Sequence, residues 1–224
     1  MALTVAQLTG REDSHITYAD NGVGLTAETW QAFTTLRKAG AEQGFDLRIA
    51  SGFRSFARQL SIWNGKACGD RAVHDDLGDP VSIPDLPDVE KIHAILRYSA
   101  LPGASRHHWG SDLDVYDAAA VPKDYHLQLV PGEVAATGIF GPLHAWLDAQ
   151  IEEGSAAQFY RPYASDRGGV AVERWHLSYR PLACECIPRL TPALVEAALA
   201  NADIVLAEVL QEQLPDIFQR YIEE

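Results

Sequence analysis

Two short stretches of this chain carry side chains able to do chemistry together. Residues 105–117 read SRHHWGSDLDVYD, and residues 173–176 read ERWH. Between them they offer imidazoles, strand-borne carboxylates and one spare carboxylate. That is the set a catalytic zinc site needs: three nitrogen or oxygen ligands, a fourth position open to water, and a base to take the water's proton. Pro102-Gly103-Ala104-Ser105 marks a turn, after which apolar Leu113 and Val115 alternate with Asp112, Asp114 and Tyr116 at the period of a strand. Asp112 and Asp114 then share one face and Leu113 and Val115 anchor the other, so whichever aspartate binds metal stands on a rigid element.

Several elements must position these stretches. A short extended arm is expected over 14–18. A helix over 26–43 opens at Thr26, places Trp30, Phe33 and Leu36 on one face and stops at Gly44. Residues 45–49 alternate as a strand and deliver Ser51-Gly52-Phe53-Arg54 at its end. Ser55 caps the next helix, whose buried stripe is Phe56, Leu60 and Trp63. Arg54 thus lies at a strand-to-helix junction, where a guanidinium fork suits a carboxylate across a cleft and equally suits a surface ion pair.

Residues 68–87 are a polar connection of the kind that lines or covers a site, and His74-Asp75-Asp76 within it reads as a solvated acidic loop. A helix over 88–99 turns Val89, Ile92, Ile95 and Leu96 inward with His93 at the boundary. A short strand is expected over 126–130. The helix begun by Phe140-Gly141-Pro142 packs Leu143, Trp146, Leu147 and Ile151, leaves His144 outside and ends at Gly154. Residues 159–163 are expected to be extended. Strict alternation would put Glu173 and His176 on opposite faces, so a bend or bulge at Arg174-Trp175 is required. Residues 191–224 carry a helix from Thr191 to about 212 and a second, short one restarted by Pro215, read as a packing appendage or an oligomer contact.

With 224 residues, 47% hydrophobic and 22% charged, the chain suits a single domain over 1–224 with its own core. The expected class is α+β: a small, mostly antiparallel sheet bearing the site on one face, flanked by helices. A net charge of -13 would repel a polyanion, which excludes nucleic acid as the main partner. Cys68, Cys184 and Cys186 are too few for a disulfide framework, and the Cys-x-Cys pair reads as plain thiols. No segment has the roughly 18 consecutive apolar residues of a membrane span. The amino terminus lacks a basic region followed by an apolar run, so the chain is read as cytoplasmic, or periplasmic where a leader has been removed.

Ser105-x-His107-x-x-Gly110-x-x-x-Asp114, with Glu173-x-Trp175-His176 downstream and Ser51-Gly52-Phe53-Arg54-Ser55 upstream, resembles the zinc D,D-carboxypeptidases of the VanY type. Their fold is shared with lysostaphin-like peptidases and the Hedgehog signalling domain. The resemblance covers residues 51–176. It implies His107, Asp114 and His176 as ligands of one zinc ion, Glu173 as the general base, and Arg54 facing the substrate's terminal carboxylate or the oxyanion. Its register selects His107 over His108 and leaves His108 either supporting the ligands from behind or facing the substrate, with Ser105 and Trp175 on the substrate side. Trp109, Tyr116 and Trp175 are candidates for the cleft wall and equally for the core. One position departs from the pattern: Asp112 stands where the family usually carries a small apolar residue.

The activity implied is removal of C-terminal D-alanine from peptidoglycan stem peptides, D,D- or L,D-specific, with a peptidoglycan-derived peptide as the partner. An endopeptidase of the same fold and a non-catalytic Hedgehog-like zinc module are the alternatives. Intact Glu173 and Arg54 weigh against the module, because a structural zinc takes a closed fourth ligand and no base. His-Glu-x-x-His is absent, which excludes a thermolysin-like site on a helix.

Overall fold

The computed structural model describes residues 2–223, so Met1 and Glu224 of the expected ranges 1–224 and 191–224 lie outside the described residues. In chain order the elements are α1 (Val5–Leu8), β1 (Thr17–Tyr18), β2 (Gly24–Leu25), α2 (Ala27–Glu42), β3 (Leu47–Ser51), α3 (Phe56–Ala67), α4 (Asp88–Leu96) and β4 (Asp112–Asp117). They continue with α5 (Pro131–Val134), α6 (Gly141–Glu152), β5 (Phe159–Tyr160), β6 (His176–Tyr179), α7 (Arg180–Cys186), α8 (Pro192–Leu199) and α9 (Ala207–Ile217). Four strands form one antiparallel sheet in the order β3-β4-β6-β5, and β1 and β2 pair separately. This is the α+β arrangement expected from the sequence.

The sheet has two unlike faces. Leu113 and Val115 of β4 and Leu177 of β6 pack with Leu47 of β3, Phe33 and Leu36 of α2, and Leu143 and Leu147 of α6. Burying each such side chain stabilises the fold by about 1.5–3 kcal/mol. The opposite face carries Asp112, Asp114 and His176. A second cluster joins Trp63 of α3, Ile92 and Ile95 of α4, Trp109, and the carboxy-terminal side chains Val195, Leu210, Leu214 and Ile217. Thr26 and Ser55 cap α2 and α3 by accepting from the N–H groups of Thr29 and Arg58. Residues 191–223 thus turn their apolar faces inward.

Several local expectations are corrected. The fourth helix stops at Leu96 rather than at 99, and Val89, expected inward, is 38% exposed. No strand forms over 126–130, because the N–H groups of Gln128 and Leu129 donate to the Glu133 carboxylate (2.9 and 2.7 Å) instead of to a neighbouring strand. His144, expected outside, is fully buried beside Arg161. The long carboxy-terminal helix is two helices, interrupted where α3 captures the backbone: Asn64 accepts from the Val205 N–H (2.9 Å) and Trp63 Nε1 donates to the Val205 carbonyl (3.0 Å). Pro215 lies inside α9 and starts nothing. In α3, Gln59 is buried where Leu60 was expected, with Leu60 only partly covered. The cysteines are free thiols, Cys186 buried and the other two exposed.

Candidate active site

β4 and β6 pair in a register that sets Asp114 directly opposite His176 and Asp112 opposite Ser178. Chain neighbours two apart on a strand share a face, so this pairing alone gathers two carboxylates and an imidazole. His107 comes from outside the sheet, on a single 3-10 turn (Arg106–Trp109) that ends at Gly110 with φ 71°. A side chain at Gly110 would strain that left-handed backbone and place Cβ 2.4 Å from Ile16. Gly52, at the end of β3, approaches so closely that a Cβ would sit 2.6 Å from the Gly24 carbonyl. Its own carbonyl is 2.8 Å from His107 Nδ1. That contact makes Nδ1 the protonated nitrogen and leaves the Nε2 lone pair free.

His107 Nε2 lies 3.5 Å from Asp114 Oδ2, and His176 Nδ1 lies 3.3 Å from Asp114 Oδ1. The candidate donor atoms of His107, Asp114 and His176 all fall within 4.8 Å of one another, and all three residues are buried. Among the described residues, no fourth His, Cys, Asp or Glu joins this group. Glu173 stands beside it, with Oε2 3.5 Å from His176 Nδ1. Residues 174 and 175 form a turn, and the His176 N–H donates to the Glu173 carbonyl (3.1 Å). The required bend is therefore present, and it brings Glu173 to the same side as His176. Arg54 completes the cluster, donating to Ser51, to Gln59 (3.3 Å) and to Asp114 Oδ2 (3.2 Å).

Burial, with the Arg54 charge nearby, holds His107 down to about 3, so it is a neutral imidazole. Burial alone would raise Asp114, but His107, His176 and Arg54 outweigh it and keep the carboxylate ionised. Asp112 is held down in the same way by Arg106 and His176 against its burial. Glu173 is raised, chiefly by burial, toward the behaviour of a base. His176 is raised despite burial because the carboxylates of Asp112, Asp114 and Glu173 surround its ring nitrogens. The same carboxylates that favour a proton there would favour a divalent cation, so the donor set fits a zinc ion of the kind held by two imidazoles and a carboxylate.

These groups open on a cavity of about 280 Å³. Ser105 and Trp175, expected on the substrate side, line it. His108 does not: it is fully buried, accepts from the Gly103 N–H through Nε2 (3.0 Å) and donates from Nδ1 to the Arg54 carbonyl (2.6 Å). It ties the turn before the motif to the backbone of Arg54, so of its two expected places the structure gives the supporting one and not the one at the substrate. Trp109 is a core residue and Tyr116 packs on Phe140, so of the three aromatic candidates Trp175 lines the cleft. The 68–87 connection supplies His74 and Asp75 to the rim, while Asp76 pairs with Arg97.

Three lining or supporting residues escaped the sequence reading. Lys66 lines the cavity and donates to Ser99 (2.7 Å), with burial lowering its pKa to about 8. Tyr163 sets its ring 5.1 Å from that of His176. Gln59 bridges Arg54 and the Ala100 carbonyl (2.8 Å). A glutamine inside an otherwise apolar helical stripe was the one available signal; nothing local marks the other two.

The sequence matches the VanY family, described as D-alanyl-D-alanine carboxypeptidase, over residues 22–182. An uncharacterized protein of Haemophilus influenzae is 43% identical over 106 residues, 45% of this chain and 72% of that protein. Among solved structures, VanYB in complex with D-alanine-D-alanine superposes with a TM-score of 0.55 at 18% identity, covering 90% of each chain. The vancomycin-resistance D,D-pentapeptidase VanY in complex with Zn(II) gives 0.53 at 19% identity, over 84% of this chain and 92% of that one. At those identities the structures speak for the fold, and the sequence match, which spans most of the chain, speaks for descent. The chain belongs to the VanY family of D-alanyl-D-alanine carboxypeptidases.

Proposed function

We propose that this chain is a zinc-dependent carboxypeptidase that removes D-alanine from the carboxy terminus of peptidoglycan stem peptides. The observation that carries this reading is the convergence of two imidazole nitrogens and a carboxylate oxygen within 4.8 Å, with Glu173 beside them. His107 would hold the ion through Nε2, His176 through Nδ1 and Asp114 through a carboxylate oxygen. Bound there, zinc supplies Lewis acidity, polarising the scissile carbonyl and lowering the pKa of water toward about 7. The ligand and the metal named for the two VanY structures support the same substrate class and the same ion.

The chain's own residues carry the remaining steps. Glu173, with its basicity raised by burial, accepts the attacking water's proton and returns it to the leaving amine. Arg54 uses three of its five N–H donors on Ser51, Gln59 and Asp114, which fixes the guanidinium and leaves two for an anionic peptide end or an oxyanion. Lys66 adds a second cation to the cavity wall. Both suit a substrate that ends in a free carboxylate.

Elemental analysis combined with release of D-alanine from defined stem peptides tests the reading, comparing wild type with Glu173→Ala. About one zinc per chain is expected in both proteins, with release at least about 10²-fold slower in the variant. Equal rates would remove Glu173 from the mechanism. Bound zinc with no release from any D-alanyl peptide would favour a binding module instead.

A further inference from the structure

The two histidines of the site are held in different ways. His107 rests its second nitrogen on a neutral backbone carbonyl, that of Gly52. His176 rests its second nitrogen on a charged side chain: Nε2 lies 2.8 Å from Asp112 Oδ1. Asp112 has no exposed surface and is surrounded by donors. Arg106 Nε reaches Oδ1 at 2.9 Å, Ser178 Oγ reaches Oδ2 at 3.0 Å, and Ser111 Oγ also donates to Oδ2. Arg106 is itself fixed, by Tyr160 OH (2.6 Å), Ser178 Oγ (2.8 Å) and the face of Trp109, 5.0 Å away.

The geometry points to Asp112 as a positioning residue for the metal site, one that locks His176 with its proton on Nε2 and its Nδ1 lone pair toward His107 and Asp114. The assignment rests on the zinc reading proposed above. An ionised carboxylate only accepts hydrogen bonds, so the nitrogen facing Asp112 must carry the proton. The other nitrogen is then the ligand, as Asp114 Oδ1 and Glu173 Oε2 beside it require of a shared cation site. A carboxylate on the far nitrogen also makes an imidazole a stronger donor to a metal. Strand register explains why the residue reaches: Asp112 is diagonal to His176 across β4 and β6, on the face it shares with Asp114. The competing account is that Asp112 merely neutralises buried Arg106, with His176 a bystander.

Zinc affinity, measured by competition with a chromophoric chelator and without any peptide, separates the two. For Asp112→Asn, zinc is expected to bind about 10- to 100-fold more weakly than in wild type. A double variant, Arg106→Leu with Asp112→Leu, leaves no unpaired buried charge and is expected to show the same loss even where the single variant folds poorly. In zinc-loaded wild type, nitrogen NMR should find the His176 proton on Nε2 and none on Nδ1. Unchanged affinity in folded variants, whatever their melting temperatures, overturns the assignment, as does zinc bound through Nε2. Failure of wild type to bind zinc would instead overturn the metal reading, and the Asp112 role with it.

Discussion

Along one wall of the cleft, Asp114 and His176 stand opposite each other on hydrogen-bonded strands, backed by Leu113, Val115 and Leu177 with no exposed surface. Beside Lys66 of α3 and Leu96 of α4, connections line much of the remaining cleft: Ala72, His74 and Asp75 from one, residues 128–130 leading into α5 from another, Tyr163 and Val170 from a third. The strand wall has its backbone satisfied by the ladder and its side chains held from behind. The loop wall is held by side-chain ties, such as Asp75 accepting from the N–H groups of Leu77 and Asp79 (both 2.9 Å), and Glu133 gathering those of 128 and 129. The contrast teaches a division of labour. Two of the three candidate donors, Asp114 and His176, sit on the sheet, and the third, His107, is fixed by a turn tied to the Gly52 carbonyl, whereas much of the remaining cleft lining sits on segments that tolerate change.

The contrast is broken most directly at the strand wall. His176→Ala should weaken zinc binding by more than the roughly 100-fold upper range for outer partners and abolish D-alanine release, as read by chelator competition and product assay. Next in size, Leu113→Ala should cost about 2–5 kcal/mol of unfolding free energy in denaturant titration, because it opens a cavity behind both Asp112 and Asp114.

Away from the strand wall, at helix α3 and the rim connection, the expected effects are smaller and different. Lys66, on α3, is a partly buried ammonium whose pKa falls from 10.5 to about 8 because desolvation disfavours the charge. With the folded value below the unfolded one, the charged form costs stability. That cost is absent above about pH 10.5, grows as pH falls, and is complete below about pH 8. Lys66→Met should therefore raise the melting temperature near pH 7 by roughly 2–4 °C, a gain that shrinks toward pH 10.5, while raising KM for stem peptides more than it changes kcat. A fall in stability at pH 7 with unchanged KM would make the lysine structural. Smallest of all, Leu77→Ala, at a residue 85% exposed on the rim connection, should change stability by under about 0.5 kcal/mol in the same titration.

Much of this was readable before any coordinates. The caps at Thr26 and Ser55, the alternation of Leu113 and Val115 and the need for a turn at Arg174-Trp175 are local consequences of residue type and spacing, and each is found. The misreadings share a different cause. The segment 126–130 alternates weakly, yet its N–H groups go to Glu133; the carboxy-terminal helix pattern runs on, yet Asn64 and Trp63 seize Val205. In both, a distant or irregular partner competes with the local pattern for backbone groups that periodicity does not record.

The same line divides the site. Sequence alone determined which residue types were on offer, that Asp112 and Asp114 share a face, and that a second stretch was needed to complete the set. Only tertiary structure decided what each would do: Asp114 faces His107 and His176, Asp112 lies behind His176 with Arg106, and His108 turns into the core to hold Arg54. The physical reason is that spacing along a strand fixes a side chain's face but not its neighbours. Those are set by cross-strand register and by a turn packed from outside the sheet, and both depend on the whole core being in place.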